Sequence, residues 1–477
     1  MMKRLLSLLL ALALVLSCAA VFAEGDAAPV VYATVNGKEI TDQNSFFTNL
    51  VSYYQSMYSM YGIDMTDPET MNYLKAIGME YAIDMEVIFT KAAEKGFDQF
   101  TDDEIKAFEK DATDYIEEYI ASMMSQSGLA DDASDEDKAN ARAAILADMQ
   151  AQGYNEETYV QESVESSKME TIYNRIYDDV TASVTVSEEE ITEYFNELVK
   201  EDMERAAEDP AAYLADYEEF KNYLEYPEYL PYAPVTAYYT PEGYRAVTHI
   251  LLAPETELLE NWKGLVARLE EQNSPEEAAS DTETAAPEAD ATPEPTEEPV
   301  TQEMVDAAAR AIMDSLQSKI DEIQKKLSEG ANFSDLIAEY GTDPGMQTEE
   351  GRAAGYEIHS LSSSYEPNFH QAAMALEKVG DISEPVLGQF GVHIIQYLKD
   401  VPAGAVELSD ALKSMLKDTM LEEKQKAAFT AAEEEWKAAM AVEYTEEGKA
   451  LLAAMEAVNN AAEGTPAEEA AEPTPAP

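Results

Sequence analysis

Two histidines in apolar, strand-like segments are the residues of this chain best suited to do chemistry. His249 stands in VTHILL and His393 in FGVHII, and they are half of the four histidines present. Asp343, in the turn sequence GTDPG, and Phe369, in EPNFHQAAMAL, lie between them in the chain. One histidine on a strand is usually a core residue with its hydrogen bonds satisfied. Two of them, each in its own motif with an acid and an aromatic residue between, favour a functional site.

Thiol and metal chemistry are not expected. The only cysteine, Cys18, lies in an N-terminal segment that reads as a secretory signal peptide: Lys3 and Arg4, an apolar run, and a small-residue cleavage site ending at Ala23. Cleavage after Ala23 removes Cys18 and leaves no cysteine, whereas a lipoprotein-type signal would keep Cys18 as an acylated first residue. The carboxylates contain no EF-hand pattern. We therefore expect no metal and no cofactor.

The charge of the chain restricts its partners and its location. Its formal net charge is −65, and nucleic acid is not expected as a partner because binding it requires clustered Lys and Arg. After the signal, no apolar run approaches the ~20 residues of a membrane span. We expect an extracytoplasmic protein, secreted or associated with the cell envelope, that touches a membrane only if Cys18 is lipidated.

The composition changes along the chain and predicts several segments. Residues 53–65 are rich in Tyr and Met and read either as helix core or as an adaptable apolar surface for unfolded chains. Residues 200–245 are rich in Tyr and Pro and read as a packed connector or a lid. Residues 273–302 are an acidic insertion poor in large apolar residues, which predicts disorder. The expected organisation is a signal peptide (1–23), a helical domain (24–199), the connector (200–245), a domain holding both histidines (246–401), C-terminal helices packing on the helical domain (402–460) and a disordered tail (461–477).

Residues 246–401 resemble the parvulin family of peptidyl-prolyl isomerases, through VTHILL, GTDPG, EPNFHQAAMAL and FGVHII. The strand, Asn-Gly turn and helix that begin at Val31 resemble the opening of PrsA/SurA-type extracytoplasmic foldases. The resemblance implies an α+β protein. It would have a mainly helical, chaperone-like N-terminal domain and a parvulin-like domain, a small antiparallel sheet with flanking helices interrupted by the insertion.

The resemblance also assigns roles to individual residues. His249 and His393 match the paired histidines of the family, and Asp343 matches the position that faces the substrate amide. Four positions match the substrate pocket: Phe369, Tyr365, Phe390 and Ala354. The sequence departs from the family at Ala354, where the pocket usually has Leu, and at Gly388, where Thr is usual. Both departures weaken catalysis more readily than they weaken the fold.

The function implied by the resemblance is prolyl isomerisation and chaperone assistance in the folding of exported proteins. The partners would be unfolded or partly folded polypeptides with X-Pro bonds, and the resemblance also allows a homodimer. The alternative is a holdase without catalysis, in which a degenerate parvulin domain remains as a platform. Ala354 and Gly388 favour the holdase. The enzyme is favoured by the intact His249, Asp343, Phe369 and His393.

Overall fold

The computed structural model describes residues 28–129, 133–151, 155–273 and 299–463. Within them, the chain forms two compact units, one from the residues before Val186 together with those after Thr419, the other from Val186–Thr419. The predicted signal peptide, almost all of the acidic insertion and most of the C-terminal tail lie outside the described residues. At the edges of the insertion, Asn273 belongs to a helix, and Val300 is buried with its N–H bonded to the side chain of Gln272.

The first unit opens with a hairpin and continues as helices. Its elements are β1 (Val31–Val35), β2 (Lys38–Thr41), α1 (Ser45–Met60), α2 (Pro68–Glu94), α3 (Asp102–Gln126), α4 (Asp135–Ala151) and α5 (Glu156–Thr181). Asn36 and Gly37 form the turn predicted from the Asn-Gly pair, with φ of 51° and 83°. Asn44 caps α1 by accepting hydrogen bonds from the N–H groups of Phe46 and Phe47, because β2 extends through Thr41.

The second unit contains the antiparallel sheet that carries both histidines. Its elements are α6 (Glu188–Glu208), α7 (Pro210–Glu225), β3 (Tyr239–Thr240), β4 (Arg245–Leu252), α8 (Thr256–Asn273), α9 (Gln302–Ser328), α10 (Phe333–Tyr340), α11 (Glu349–Ala354), β5 (Tyr356–Ile358), α12 (Pro367–Met374), β6 (Val386–Gly388), β7 (Gly391–Asp400) and β8 (Gly404–Ala405). The strand order of the main sheet is β5-β4-β7-β6, and all of its neighbours are antiparallel. Together with the helical first unit, this confirms the predicted α+β class.

The two faces of this sheet are covered by different helices. Ile250 and Ile394 point to the face that packs against α8, α9 and α10. On the opposite face Val247 and Ile395 pack against Phe369 of α12. Because side chains alternate along a strand, His249 and His393 share the α12 face with Val247 and Ile395. The alternation therefore delivers both histidines to one side of the sheet.

The C-terminal segment returns to the first unit. α13 (Asp410–Ala439) begins in the second unit and ends in the first, and β9 (Val442–Tyr444) and α14 (Glu446–Glu463) follow it. β9 pairs antiparallel with β1, so the small sheet of the first unit has the order β2-β1-β9. Leu451 of α14 is buried in the same core as Ile83 of α2. In the parts of the chain that the structure describes, no helix has the length and apolar character to cross a membrane.

Glu433 on α13 makes the stability of the first unit depend on pH. Burial, followed by the negative charge of Asp84, raises the pKa of Glu433 to about 7. The pKa of Glu433 is higher in the folded than in the unfolded chain. The contribution of protonated Glu433 to the stability of the folded unit is therefore complete below about pH 4.5 and is lost as the pH rises through 7. Glu433→Gln should therefore raise the melting temperature of the full chain at pH 8 and leave it nearly unchanged at pH 5. Glu434→Gln, an exposed neighbour, is the control. An equal shift for Glu433→Gln at both pH values would contradict the assignment.

Candidate active site

The two histidines of the sheet form a buried, directly bonded pair. β4 and β7 are adjacent, and their register places the residues so that His249 Nδ1 lies 2.9 Å from His393 Nδ1. The rings are nearly parallel, at 17°, and the two residues are only 2% and 3% exposed. A bond between two Nδ1 atoms needs one donor and one acceptor, so at least one ring has no proton on Nδ1.

Asp343 joins the pair from the loop after α10. Its Oδ2 lies 3.2 Å from His249 Nε2, although the alignment is not that of a hydrogen bond. Its Oδ1 accepts from the Tyr356 hydroxyl at 2.8 Å and from the Met346 N–H at 3.1 Å, as the N-cap of a 3₁₀ turn over Pro344–Met346. Thr342 fixes the loop by donating both its N–H and its hydroxyl to the carbonyl of Leu251 at the end of β4. The carboxylate is thus held at the end of the strand that carries His249.

The surroundings set the charges of this cluster. Burial, reinforced by the charge of His249, lowers the pKa of His393 to about 3, so this imidazole is neutral near pH 7. Burial alone would raise the pKa of Asp343, but the contacts from His249 and the hydrogen bond from Tyr356 outweigh it and hold that pKa at about 2. A neutral ring and an ionised carboxylate therefore coexist in one small site.

Phe369 and Tyr365 bring aromatic rings to the histidines. The Phe369 ring meets both imidazoles edge to face, with centroids 5.1 Å from His249 and 5.2 Å from His393. Tyr365 stacks on Phe369 at 6.0 Å, and its hydroxyl donates to the carbonyl of Glu357. Phe369 is only 4% exposed, so little of its ring is accessible while Tyr365 covers it.

The other two residues expected in the pocket lie farther out. Ala354 ends α11 and lines a cleft together with Tyr356 and Tyr365. Phe390 lies in the turn between β6 and β7 and is 63% exposed; no ring contact joins it to the histidines among the described residues. Five of the seven expected residues thus form one cluster, one lies on the adjoining cleft, and Phe390 stands apart. Their roles stay predictions.

Gly388, one of the departures from the family pattern, lies directly beside the pair. A β-carbon built on Gly388 would lie 3.1 Å from His393 Nε2 and 2.8 Å from a carboxylate oxygen of Glu366. Within the described part of the chain, His393 Nε2 has no hydrogen-bond partner. The position is therefore one from which a hydroxyl-bearing side chain would reach the ring, and glycine leaves the nitrogen without it.

Sequence reasoning missed Tyr356 and Glu366. Tyr356 donates to Asp343, and Glu366 caps α12 by accepting from the Phe369 N–H at 2.7 Å. A helix-start signal, Glu366 followed by Pro367, was present for the cap. No local signal marks Tyr356, because its importance comes from β5 pairing with β4.

Gly345→Ala should separate Tyr356 from Asp343. A β-carbon on Gly345 would come within 2.2 Å of the Tyr356 hydroxyl oxygen, so the phenol must move. Loss of this hydrogen bond should raise the pKa of Asp343 from about 2 towards its ordinary value. A carboxyl titration followed by NMR on the full chain measures the change. Gly264→Ala on α8, where the added carbon meets nothing within 4 Å, is the control. An unchanged Asp343 pKa would show that Tyr356 does not hold the carboxylate.

Comparison with known proteins assigns part of this unit to a family. Residues 299–399 match the family model "Rotamase: PPIC-type PPIASE domain". The match includes Asp343, Phe369 and His393 but begins after His249. The structure shows that β4, which carries His249, is hydrogen-bonded along its length to β7 of the matched region. The sheet of this domain is therefore built from chain on both sides of residues 274–298.

Two curated proteins that are similar to part of the chain are named as foldases. Foldase protein PrsA 2 of Listeria innocua is 42% identical over 87 residues, 18% of this chain and 28% of the relative. Foldase protein PrsA of Clostridium botulinum is 35% identical over 130 residues, 27% of this chain and 37% of the relative. The chain thus matches about a third of the length of these relatives.

Two solved structures also align with the chain at low scores. PrsA from Bacillus subtilis is 17% identical and covers 85% of this chain and 91% of its own, with a TM-score of 0.18. The structure reported for two SurA-like chaperones of Campylobacter jejuni is 15% identical and covers 69% and 94%, with a TM-score of 0.23. Scores this low do not support a comparison of sites. In sequence, residues 299–399 match the rotamase model of the PPIC type, and the curated proteins that are similar to part of the chain include PrsA foldases.

Proposed function

We propose that the chain is an extracytoplasmic peptidyl-prolyl cis/trans isomerase and chaperone that assists the folding of exported proteins. The observation that supports it most is the buried His249–His393 pair with ionised Asp343 beside it, in a unit that carries a PPIC-type rotamase domain. The proposed substrates are unfolded or partly folded polypeptides containing X-Pro bonds. Lipidation at Cys18, which lies outside the described residues, and a homodimer stay predictions.

The reaction breaks no bond, so the site needs neither a nucleophile nor a metal. Rotation about the X-Pro bond must pass a barrier of roughly 18–20 kcal/mol, because the planar amide is stabilised by resonance. Resonance also places partial negative charge on the carbonyl oxygen, and the twisted amide loses that charge. A catalyst that penalises the planar form or favours the twisted one lowers the barrier.

Each part of the cluster has a role in such a mechanism. The ionised Asp343, facing the carbonyl oxygen of the bound peptide, would repel the planar amide more than the twisted one. Neutral His393 forms the floor of the site together with the ring of His249, and Phe369 with Tyr365 offers an apolar surface to the proline ring. The low exposure of the floor excludes water, which strengthens these electrostatic effects.

Cis-to-trans exchange in a short Ala-Pro peptide tests the proposal. Without a catalyst the exchange takes tens of seconds. The purified chain should make it much faster. It should also accelerate the refolding of a client protein limited by proline isomerisation. If the folded chain does not accelerate either reaction, the isomerase proposal fails. Suppression of client aggregation would then distinguish a holdase from a chain with neither activity.

A further inference from the structure

A cleft opens beside the candidate site, between α7 and the rotamase domain. Its volume is about 520 Å³, and Ala354, Tyr356 and Tyr365 line it on the domain side. Tyr356 donates to Asp343, and Tyr365 stacks on Phe369, so the cleft adjoins the cluster through both residues. A peptide reaching the cluster past Tyr356 and Tyr365 would lie along α7.

The α7 wall of this cleft is acidic. Glu218, Asn222 and Glu225 follow one another at helical spacing, and all three line the cleft together with Glu219. Glu357 on β5 adds a carboxylate on the opposite side. The lining residues include one cation, Lys221, and Lys221 pairs with Glu357 at 2.6 Å.

Two of the carboxylates are engaged and two face solvent. Glu218 accepts hydrogen bonds from Tyr244, Ser362 and Ser364, which fixes its position. Glu219 and Glu225 are exposed, and no ion pair within the described residues engages either of them. They are accessible to a cation brought by a ligand.

The charges of this wall reach the candidate site itself. Burial first, and then the charges of Glu218, Glu357 and Glu225, raise the pKa of Tyr365 to about 12. Lys221 shows how a basic side chain fits, since its ammonium group already contacts Glu357 at the edge of the cleft. A basic residue beside the substrate proline would meet the same kind of partner.

We propose that the α7 wall makes the site selective for X-Pro segments flanked by Lys or Arg. The inference deepens the proposed function, because it assigns a substrate class to the same site. Because the walls of the cleft have a low dielectric constant, the field of its carboxylates acts on a charged ligand over a longer distance than it would on an open surface. Glu219 and Glu225 would be specificity-determining residues, and a segment with flanking Asp or Glu would be repelled.

Three otherwise identical Ala-Pro peptides test this, with Lys, Gln or Glu on both flanks. The rate of cis/trans exchange at low peptide concentration gives kcat/KM for each. We expect the Lys peptide to exceed the Glu peptide by about tenfold at low salt. The ratio should fall towards one at about 1 M salt, where the Debye length is only ~3 Å. Equal values for the Lys and Glu peptides, or a preference for Glu, would overturn the proposal.

Charge variants separate the cleft from the acidic chain as a whole, whose net charge is −65. Glu219→Gln combined with Glu225→Gln should reduce the Lys-to-Glu ratio severalfold. Glu228→Gln, an exposed residue just beyond α7 that does not line the cleft, should leave it unchanged. If the double variant and Glu228→Gln reduced the Lys-to-Glu ratio equally, the preference for Lys would come from the overall charge of the chain, and the role of the cleft would be overturned.

Binding measurements keep this test independent of catalysis. Fluorescence anisotropy with labelled Lys and Glu peptides reports selective binding even if no peptide is isomerised. Absence of turnover with retained Lys selectivity would reject the isomerase and keep the selective cleft. Turnover without a preference for the Lys peptide would keep the isomerase and reject the selective cleft.

Discussion

Asp343→Asn should lower kcat/KM for an Ala-Pro peptide on the order of 10²-fold, the size typical of losing one preorganised electrostatic group in an active site. The loss corresponds to about 2.7 kcal/mol of transition-state stabilisation. Asparagine has nearly the same shape, so the Tyr356 hydroxyl and the Met346 N–H can still donate to its carbonyl oxygen. The change removes the negative charge near His249 and leaves most of the loop geometry intact.

The pH dependence of the parent chain supplies a second check on Asp343. Its pKa of about 2 is below the ordinary value of 3.8, so its contribution to stability is present above about pH 3.8 and is lost as the pH falls through 2. Asp343 therefore stays ionised from pH 8 down to about pH 4, and the activity that depends on its charge should be constant over this range. Asp335→Asn, an exposed change of the same kind on α10, is the matched control and should retain full activity. Full activity in Asp343→Asn would remove the carboxylate from the mechanism.

Phe220→Ala should destabilise the second unit by about 3–5 kcal/mol, as expected for truncation of a fully buried aromatic ring. Phe220 lies on α7 with 0% exposure, and its ring meets Tyr238 edge to face at 5.6 Å. Removing the ring leaves a cavity that the neighbouring backbone cannot close completely. Because α7 forms one wall of the acidic cleft, the variant should also weaken any preference for Lys-flanked peptides.

Urea unfolding of the full chain measures this loss. Two compact units predict two transitions, and the midpoint of the one assigned to residues 186–419 should move. Tyr229→Ala, at a residue that is 56% exposed, should shift neither transition by more than a few tenths of a kcal/mol. A similarly small shift for Phe220→Ala would mean that α7 is not packed as the structure shows.

Short sequence patterns mark many of the helix and turn positions of the fold. Thr101 with Glu104, and Ser187 with Glu190, form capping boxes, and both pairs have the S/T-x-x-E spacing typical of this motif. Pairings between distant segments were not readable in the same way. β9 joins β1 across about 400 residues, and its three-residue length gives no alternation to recognise.

The residues of the site also fall into two groups, those that a local sequence motif marks and those that only long-range pairing brings to the site. His249, Asp343, Phe369 and His393 could be nominated because each stands in a short motif, and the structure brings them together. Tyr356 could not be nominated, since only the pairing of β5 with β4 takes its hydroxyl to Asp343. The carboxylates of α7 could not be placed either. The helix ends before the prolines that follow Glu225, but those prolines do not indicate what the helix packs against.

The second unit is inserted within the sequence of the first, and this has a consequence for how the chain folds as it is synthesised. A chain that emerges from its N-terminus presents β1 long before β9, so one edge of β1 has no partner until residues 442–444 arrive. The second unit is complete by Thr419 and has time to form first, although its β4–β7 pairing closes a loop of about 140 residues and is correspondingly slow. During that interval β1 is an open strand edge, the kind of surface on which chains aggregate. The last segment to emerge therefore closes the part of the molecule that emerged first.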